Sequence, residues 1–389
     1  MKWQNRFIRD IIDFEKSSET FFAKSIEKDT KIVNTKGKYL PETLLKFYSP
    51  THENVQDVKN KCVWMSSPSS FNDPFDCSIG YNSDEYIKYL LIDYIRKNNR
   101  INDSINADYF TKDDLLQICN TFTTEPPYNI YSNKRDFSIV CRSIVNSKSN
   151  LLQGKYNELI FPKIKRINAI IENARHHSVR VACFSELRWF DESIKKMLLW
   201  SHYSDSHRGF CVEYDISSLK NDINYEVEWY APSVNPGKYI DERIIATLKA
   251  GLFPISYSNK RTLIPKTLLN KLAYESDNTT LSNPKFKELI IKSFINKSTV
   301  WNYEKEWRLI VDDKICKYYD NKIPFPYIKS IFVGSRASKE LVNNLYDIAN
   351  SLGVEIHHMK ETDENYALYH WILDQEYLRS RKKFDNPFL

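Results

Sequence analysis

The chain is poor in glycine: 8 of 389 residues, about 2%, against an ordinary usage of about 7%. That count excludes collagen-like, glycine-linker and low-complexity classes. The eight positions (37, 80, 154, 209, 237, 251, 334 and 353) also stand far apart. A dinucleotide-binding fingerprint or a nucleotide-triphosphate loop needs two or three glycines within about ten residues, so neither is present. Any nucleotide would have to be held by side chains. Long apolar runs are missing as well: none approaches the roughly 18 residues of a membrane span, and no membrane association is expected. The opening MKWQNRFIRDIIDFEK alternates charged with apolar residues, unlike the apolar stretch of a signal peptide. Seven cysteines (62, 77, 119, 141, 183, 211, 316) include no Cys-x-x-Cys pair. Such a scattered, odd set predicts reduced thiols and a cytoplasmic location.

What is present suits a globular protein with a large core: 42% hydrophobic residues, 25 tyrosines and 21 phenylalanines. The net charge of +6 is uneven, because residues 134–180 hold ten Lys/Arg against three Asp/Glu. Around Lys163, Lys165 and Arg166 this stretch reads either as a footprint for nucleic acid or as a solvated helix face.

Periodicity predicts an α+β protein with a mixed, split β-sheet core and large helical insertions. Residues 1–40 form an expected helical extension, with Phe7, Ile8, Ile11 and Ile12 on one face. A single domain is expected over 41–360, followed by a tail over 361–389. Insertions are placed at about 84–175, where Ile164, Ile167 and Ile171 recur, and at about 238–297. Period-two alternation predicts strands at 44–48, 62–66, 178–185, 209–214, 225–230, 304–311, 328–333 and 354–359. A short helix suits 193–203, and Ser338 and Gly353 bracket another.

Three clusters carry possible chemistry. On a strand over 304–311, Glu304, Glu306 and Arg308 share one face. Two carboxylates there can divide labour, one stabilising a cation and the other moving a proton, while Arg308 holds an anion. A structural ion network accounts for the same residues. In the second cluster, Ser66 to Asp76, Ser66, Asn72 and Asp73 present polar groups from a turn that turn chemistry also explains. The third joins Ser185 to the run Trp200 to Gly209, with Tyr203, His202 and Arg208 as pocket candidates. The spacing of His202 and His207 aligns on neither a helix nor a strand face, and no metal is expected.

Taken in order, Leu45-Lys-Phe-Tyr48, Val63 to Asp76, Ala182-Cys-Phe-Ser-Glu186, Leu199 to Tyr214 and Tyr303-Glu-Lys-Glu-Trp-Arg-Leu-Ile310 resemble the bacterial family known as domain of unknown function 2971. The order of strands and carboxylates is also similar, more distantly, to the ADP-ribosyltransferase layout. That likeness implies NAD as substrate. It implies Glu306 at the nicotinamide ribose, Glu304 activating the acceptor, and Ser66 or Tyr203 seating the cofactor. Lys46 and Tyr48 stand where the superfamily carries His or Arg, and Ser185, His202, Asn72, Asp73 and Arg308 complete the expected binding set. The expectation is therefore an NAD-consuming effector, a toxin or a phage-defence protein. Two alternatives stay open: a metal-dependent nuclease or phosphodiesterase using Asp73, Asp76, Glu304 and Glu306, and a non-catalytic module binding nucleic acid or a partner.

Overall fold

Leu44, Lys46 and Tyr48 alternate with Leu45 and Phe47, and a computed structural model places them on opposite faces of one strand. The structure describes Arg9 and residues 38–83, 85–87, 89–90, 160–187, 194–221, 226–230, 243–247, 251–274, 283–364 and 366–374. The expected N-terminal helix, apart from Arg9, and most of the 84–175 insertion lie outside these residues.

The chain divides into two compact units. One comprises Met1–Cys77, Arg175–Lys260 and Ile291–Leu389; the other comprises Ser78–Ala174 and Arg261–Ile290. Elements follow in the order β1 (Thr43–Tyr48), α1 (His52–Lys59), β2 (Cys62–Trp64), α2 (Phe161–His177), β3 (Val179–Ser185), α3 (Ile194–Tyr203), β4 (Phe210–Asp215) and α4 (Ile216–Asn221). Next come β5 (Glu226–Tyr230), β6 (Arg243–Thr247), β7 (Leu252–Pro254), β8 (Ser256–Tyr257), α5 (Lys266–Tyr274), α6 (Pro284–Phe294) and β9 (Asn296–Lys297). The chain continues through β10 (Glu306–Asp312), α7 (Asp313–Tyr318), β11 (Lys322–Pro324), β12 (Ile328–Val333), α8 (Lys339–Leu352), β13 (Glu355–Glu361) and β14 (Leu368–Ile372).

The first unit is built on an eight-stranded mixed sheet ordered β14-β13-β12-β4-β1-β3-β10-β7. Within this sheet, among the described residues, only β12 and β13 pair in parallel, and α8 makes the crossover that parallel neighbours require. The Ser338 hydroxyl caps α8 by accepting from Leu341 N, and Gly353 ends it in the left-handed region at φ 68°. The helix buries Leu341, Leu345 and Ile348 in a core with Leu44, Phe184, Val212, Leu309 and Ile331, which line one face of the sheet. The opposite face carries a smaller apolar cluster of Leu45, Cys211 and Phe332 under Leu199 and Trp200 of α3.

The sheet opens between β1 and β3. Their register consists of Leu45 opposite Ser185, and further along β3 Val181 bridges to Ser66 instead. In the gap the Cys183 carbonyl accepts from Lys46 Nζ at 3.4 Å. A side chain thus supplies the donor where the ladder parts.

Three expectations need correction. The region 238–297 is not purely helical, because β6, β7, β8 and β9 fall within it; its strands of two to five residues are too short to show a period. The tail expected over 361–389 is not wholly a tail, since β14 extends the sheet, and residues 375–389 lie outside the described residues. Its run Leu-Tyr-His-Trp-Ile is rich in the aromatic and branched residues that suit strands. The last correction concerns Glu304, described below.

In the second unit, Gly80 bridges to Leu263, and α5 buries Leu268, Leu269 and Leu272. Within the same unit Arg166 Nε donates to the Leu272 carbonyl at 3.2 Å. Lys163 Nζ lies 4.8 Å from the Tyr274 ring centre, and Lys165 is exposed. No helix among the described residues is long and apolar enough to cross a membrane.

Candidate functional site

The expected strand over 304–311 starts two residues late. Thr299–Glu304 is a 3-10 helix, and Lys305 ends it in the left-handed region at φ 45°, ψ 52°. Glu304 is therefore not a strand residue, and alternation does not place it beside Glu306. The two carboxylates meet for another reason. Lys297 Nζ donates to Glu304 Oε2 at 2.6 Å and to Glu306 Oε2 at 3.0 Å, and lies 3.5 Å from Asp76 Oδ2.

Arg308, wholly buried, is the second cation. Its Nε donates to Glu306 Oε1 at 2.6 Å and its Nη2 to Glu306 Oε2 at 3.1 Å. Nη2 also reaches both Asp76 oxygens, at 2.9 and 2.7 Å. Nη1 donates to the Phe294 carbonyl at 2.9 Å and to Cys77 Sγ at 3.0 Å. Every nitrogen of the fork is engaged, as burial of a guanidinium demands. Three carboxylates thus share two cations, leaving one negative charge in excess.

That imbalance separates the two glutamates. Burial alone would raise the Glu306 carboxyl, but the Arg308 guanidinium and then the Lys297 ammonium overcome it and hold the group down at about 2. Glu304 moves the other way: burial, then the neighbouring Glu306 charge, raise it, against the pull of Lys297 and Tyr203. Tyr203 Oη donates to Glu304 Oε1 at 2.5 Å, and burial followed by the Glu304 charge pushes its phenol up. Tyr257 Oη accepts from Glu306 N at 2.8 Å.

Aromatic rings cover the Glu304 side. His202 lies 6.2 Å from Tyr203, 6.3 Å from Trp301 and 6.4 Å from Tyr303, centre to centre. Its Nδ1 pairs with Tyr303 Oη at 3.2 Å. The Trp301 ring lies 5.1 Å from Lys297 Nζ, and its indole donates to Asp73 Oδ2 at 2.8 Å. These rings are half-buried or, for His202, exposed, while Glu304 and Glu306 are only 3% and 4% exposed. The cluster is a buried ionic knot under an aromatic rim.

Residues 199–309 match the model of a protein of unknown function, DUF2971. No curated protein and no solved structure matches the chain. The DUF2971 segment holds Tyr203, Tyr257, Lys297, Glu304, Glu306 and Arg308, which is most of the knot. Asp76 joins it from outside the segment.

The remaining expected site residues divide by sheet face. Ser185 stands opposite Glu306 in register and shares its face. His202 and Tyr203 lie at the rim, and Asp73 ties the Ser66–Asp76 loop to it through Trp301 while also accepting from Phe75 N at 2.8 Å. Asn72 is exposed on the same loop. Ser66 is engaged through its backbone with Val181. Lys46 and Tyr48 are not brought to the knot. They point to the α8 side, where Tyr48 Oη pairs with Tyr214 Oη at 2.8 Å and Lys46 Nζ sits 5.3 Å from the Tyr48 ring.

Sequence reasoning missed Lys297 and Tyr257. Lys297 ends the short parallel pairing of β8 with β9, too brief to leave a pattern. Also missed is the bend after Trp200-Ser-His-Tyr203. Asp205, Ser206 and His207 take φ of 51°, 56° and 69° in succession, at a cost of about 1 kcal/mol or more each. Two glycines close this bend against its neighbours. A Cβ on Gly209 would lie 2.0 Å from the Tyr48 carbonyl oxygen, and one on Gly334 would lie 2.2 Å from that of His207.

Proposed function

We propose that this chain is an enzyme that cleaves an N-glycosidic bond, with NAD as donor and ADP-ribosyl transfer as the reaction. The reading rests on one observation: two carboxylates held by one lysine, one kept ionised near pKa 2 and the other raised. Environments that push paired carboxyl groups apart are how acid–base and electrostatic roles are divided in active sites. In the proposed reaction the bond between the nicotinamide nitrogen and ribose C1′ breaks, and its electron pair leaves with nicotinamide. Glu306, anionic throughout, stabilises the positive charge that develops on the ribose. The acceptor then bonds to C1′, and its proton passes to Glu304, whose proton affinity burial and the neighbouring Glu306 charge raise. The rings of His202, Trp301 and Tyr303 offer stacking surfaces for the donor, which must part them to reach the buried carboxylates.

The nuclease alternative is less well supported. Asp76 and Glu306 already accept from Arg308, Glu304 and Glu306 from Lys297, and Asp73 from Trp301. A metal ion would compete with two fixed cations for those oxygens. A cytoplasmic effector role, as toxin or phage defence, belongs to the same reading, with the acceptor a protein or a nucleic acid.

The test is nicotinamide release from NAD, with water, protein and nucleic acid as acceptors. Wild type is expected to release nicotinamide. Glu304→Gln should lower transfer to acceptors by about 10²–10⁴-fold, the usual contribution of a general base. No release by folded wild type with any acceptor would refute the proposal.

A further inference from the structure

A cavity of about 570 Å³ lies on the same face of the sheet as the ionic knot, but elsewhere on it. That volume is in the usual range of small-molecule sites, about 300–1,000 Å³. Glu355, Ser330, Glu213, Leu45, Ser185 and Glu306 are successive register partners across β13, β12, β4, β1, β3 and β10. Glu213, which lines the cavity, is three strands from Glu306, about 14 Å at ordinary strand spacing. The cavity is a place of its own.

Its lining is both acidic and aromatic. Among the described residues that line it, Glu42, Glu186, Glu213 and Glu355 face Lys329 as the one basic side chain besides two histidines. Glu213 is fixed, accepting from Lys329 Nζ at 3.2 Å and Ser330 Oγ at 2.8 Å. The Glu186 carboxylate is held from one side by the Trp307 indole at 2.8 Å. Phe332 and His357 stack with centres 4.7 Å apart and planes at 14°, giving a flat wall. His357 Nδ1 meets His370 Nδ1 at 3.2 Å, so one ring donates its N–H to the lone pair of the other. Burial, then His370, lower the pKa of His357 and favour its neutral form. Four carboxylates against one ammonium repel an anionic ligand. Among the described residues no three His, Cys, Asp or Glu side chains converge to hold a metal ion. An apolar wall beside separated carboxylates instead suits methylenes carrying charged nitrogens.

We infer that this cavity binds a small organic cation of the alkyl-polyamine class. The experiment is calorimetric titration of the intact chain with spermidine at low salt. It is repeated with the double variant Glu42→Gln, Glu355→Gln, whose side chains are exposed and whose unchanged thermal unfolding is checked first. One spermidine per chain is expected, binding about fivefold or more weakly to the double variant, as loss of two exposed charge contacts implies. Added salt should weaken it further. Absence of binding, unchanged affinity in the double variant, or displacement by Mg²⁺ at equal concentration would each overturn the inference. The measurement reads binding alone and is independent of any NAD chemistry.

Discussion

Lys297→Met is the sharpest probe of the ionic knot. The substitution keeps much of the side-chain volume and removes the ammonium that, among the described residues, touches Glu304, Glu306 and Asp76. Three buried carboxylates then face Arg308 alone, and the excess grows from one negative charge to two. Breaking a buried pair by removing one partner costs about 3–5 kcal/mol, or a fall in Tm of roughly 6–20 °C at about 2–4 °C per kcal/mol. The fall should depend on pH. Glu304 already binds its proton more tightly in the folded state than when unfolded, and losing Lys297 raises it further. A group raised in this way stabilises below its unfolded pKa, and that contribution is lost as pH rises through the folded value. The cost can grow by at most about 1.4 kcal/mol per pH unit for each carboxyl forced to stay protonated. Thermal unfolding of wild type and variant at pH 5, 6.5 and 8 should therefore show the gap widening with pH. Adding Glu304→Gln should restore much of the loss at pH 8. A variant within about 2 °C of wild type throughout, or a loss equal at all three pH values, would refute the charge argument and leave only lost packing.

Glu306→Gln carries the opposite sign. Its pKa near 2 lies below the unfolded value, so its stabilisation is present above about pH 4 and disappears as pH falls toward 2; acid titration should find the variant less stable than wild type at pH 7 and the two converging near pH 2. Gly209→Ala and Gly334→Ala should each cost about 3 kcal/mol or more by denaturant unfolding, because their Cβ atoms would strike backbone oxygens at 2.0 and 2.2 Å. Gly353→Ala, with nothing within 4 Å of its Cβ, should cost only about 1 kcal/mol of left-handed strain.

The framework was legible where one physical rule acts alone. Ser338 and Gly353 marked both ends of α8 because caps are local hydrogen-bond requirements. β3, β4 and β12 showed in alternation because each buries its core face. Glu306 and Arg308 were placed on one face by the same rule. Glu304 arrived at the right cluster by the wrong route, since Lys305 breaks the alternation between it and Glu306. Lys297 and Asp76 are 11 and 232 residues from Arg308, and no local pattern encodes such meetings. The face of Lys46 and Tyr48 could be read only once the register with β4 was known, because alternation separates two faces without saying which is which.

The scarcity of glycine has a structural counterpart. Among the described residues eight non-glycine positions take positive φ: Lys61, Cys77, Asp205, Ser206, His207, Lys305, Asp320 and Asn321; the glycine that does so is Gly353. Gly209 and Gly334 serve close backbone approach instead. Left-handed turns are thus made by residues for which each costs about 1 kcal/mol or more, and their placement is uneven. Lys305 separates Glu304 from Glu306, Cys77 follows Asp76 and accepts from Arg308, and Asp205 to His207 follow Tyr203. Three of the strained turns flank the ions of the knot or their hydrogen-bond partner. Backbone strain of this kind persists only where surrounding contacts over-determine it: Cys77 accepts from Arg308, and Lys305 lies between two carboxylates bound by Lys297, whereas the Asp205–His207 bend is closed by its own backbone bonds to Ser201 and Trp200. At Cys77 and Lys305, then, the ion pairs that set the two carboxylates apart also brace the backbone that delivers them.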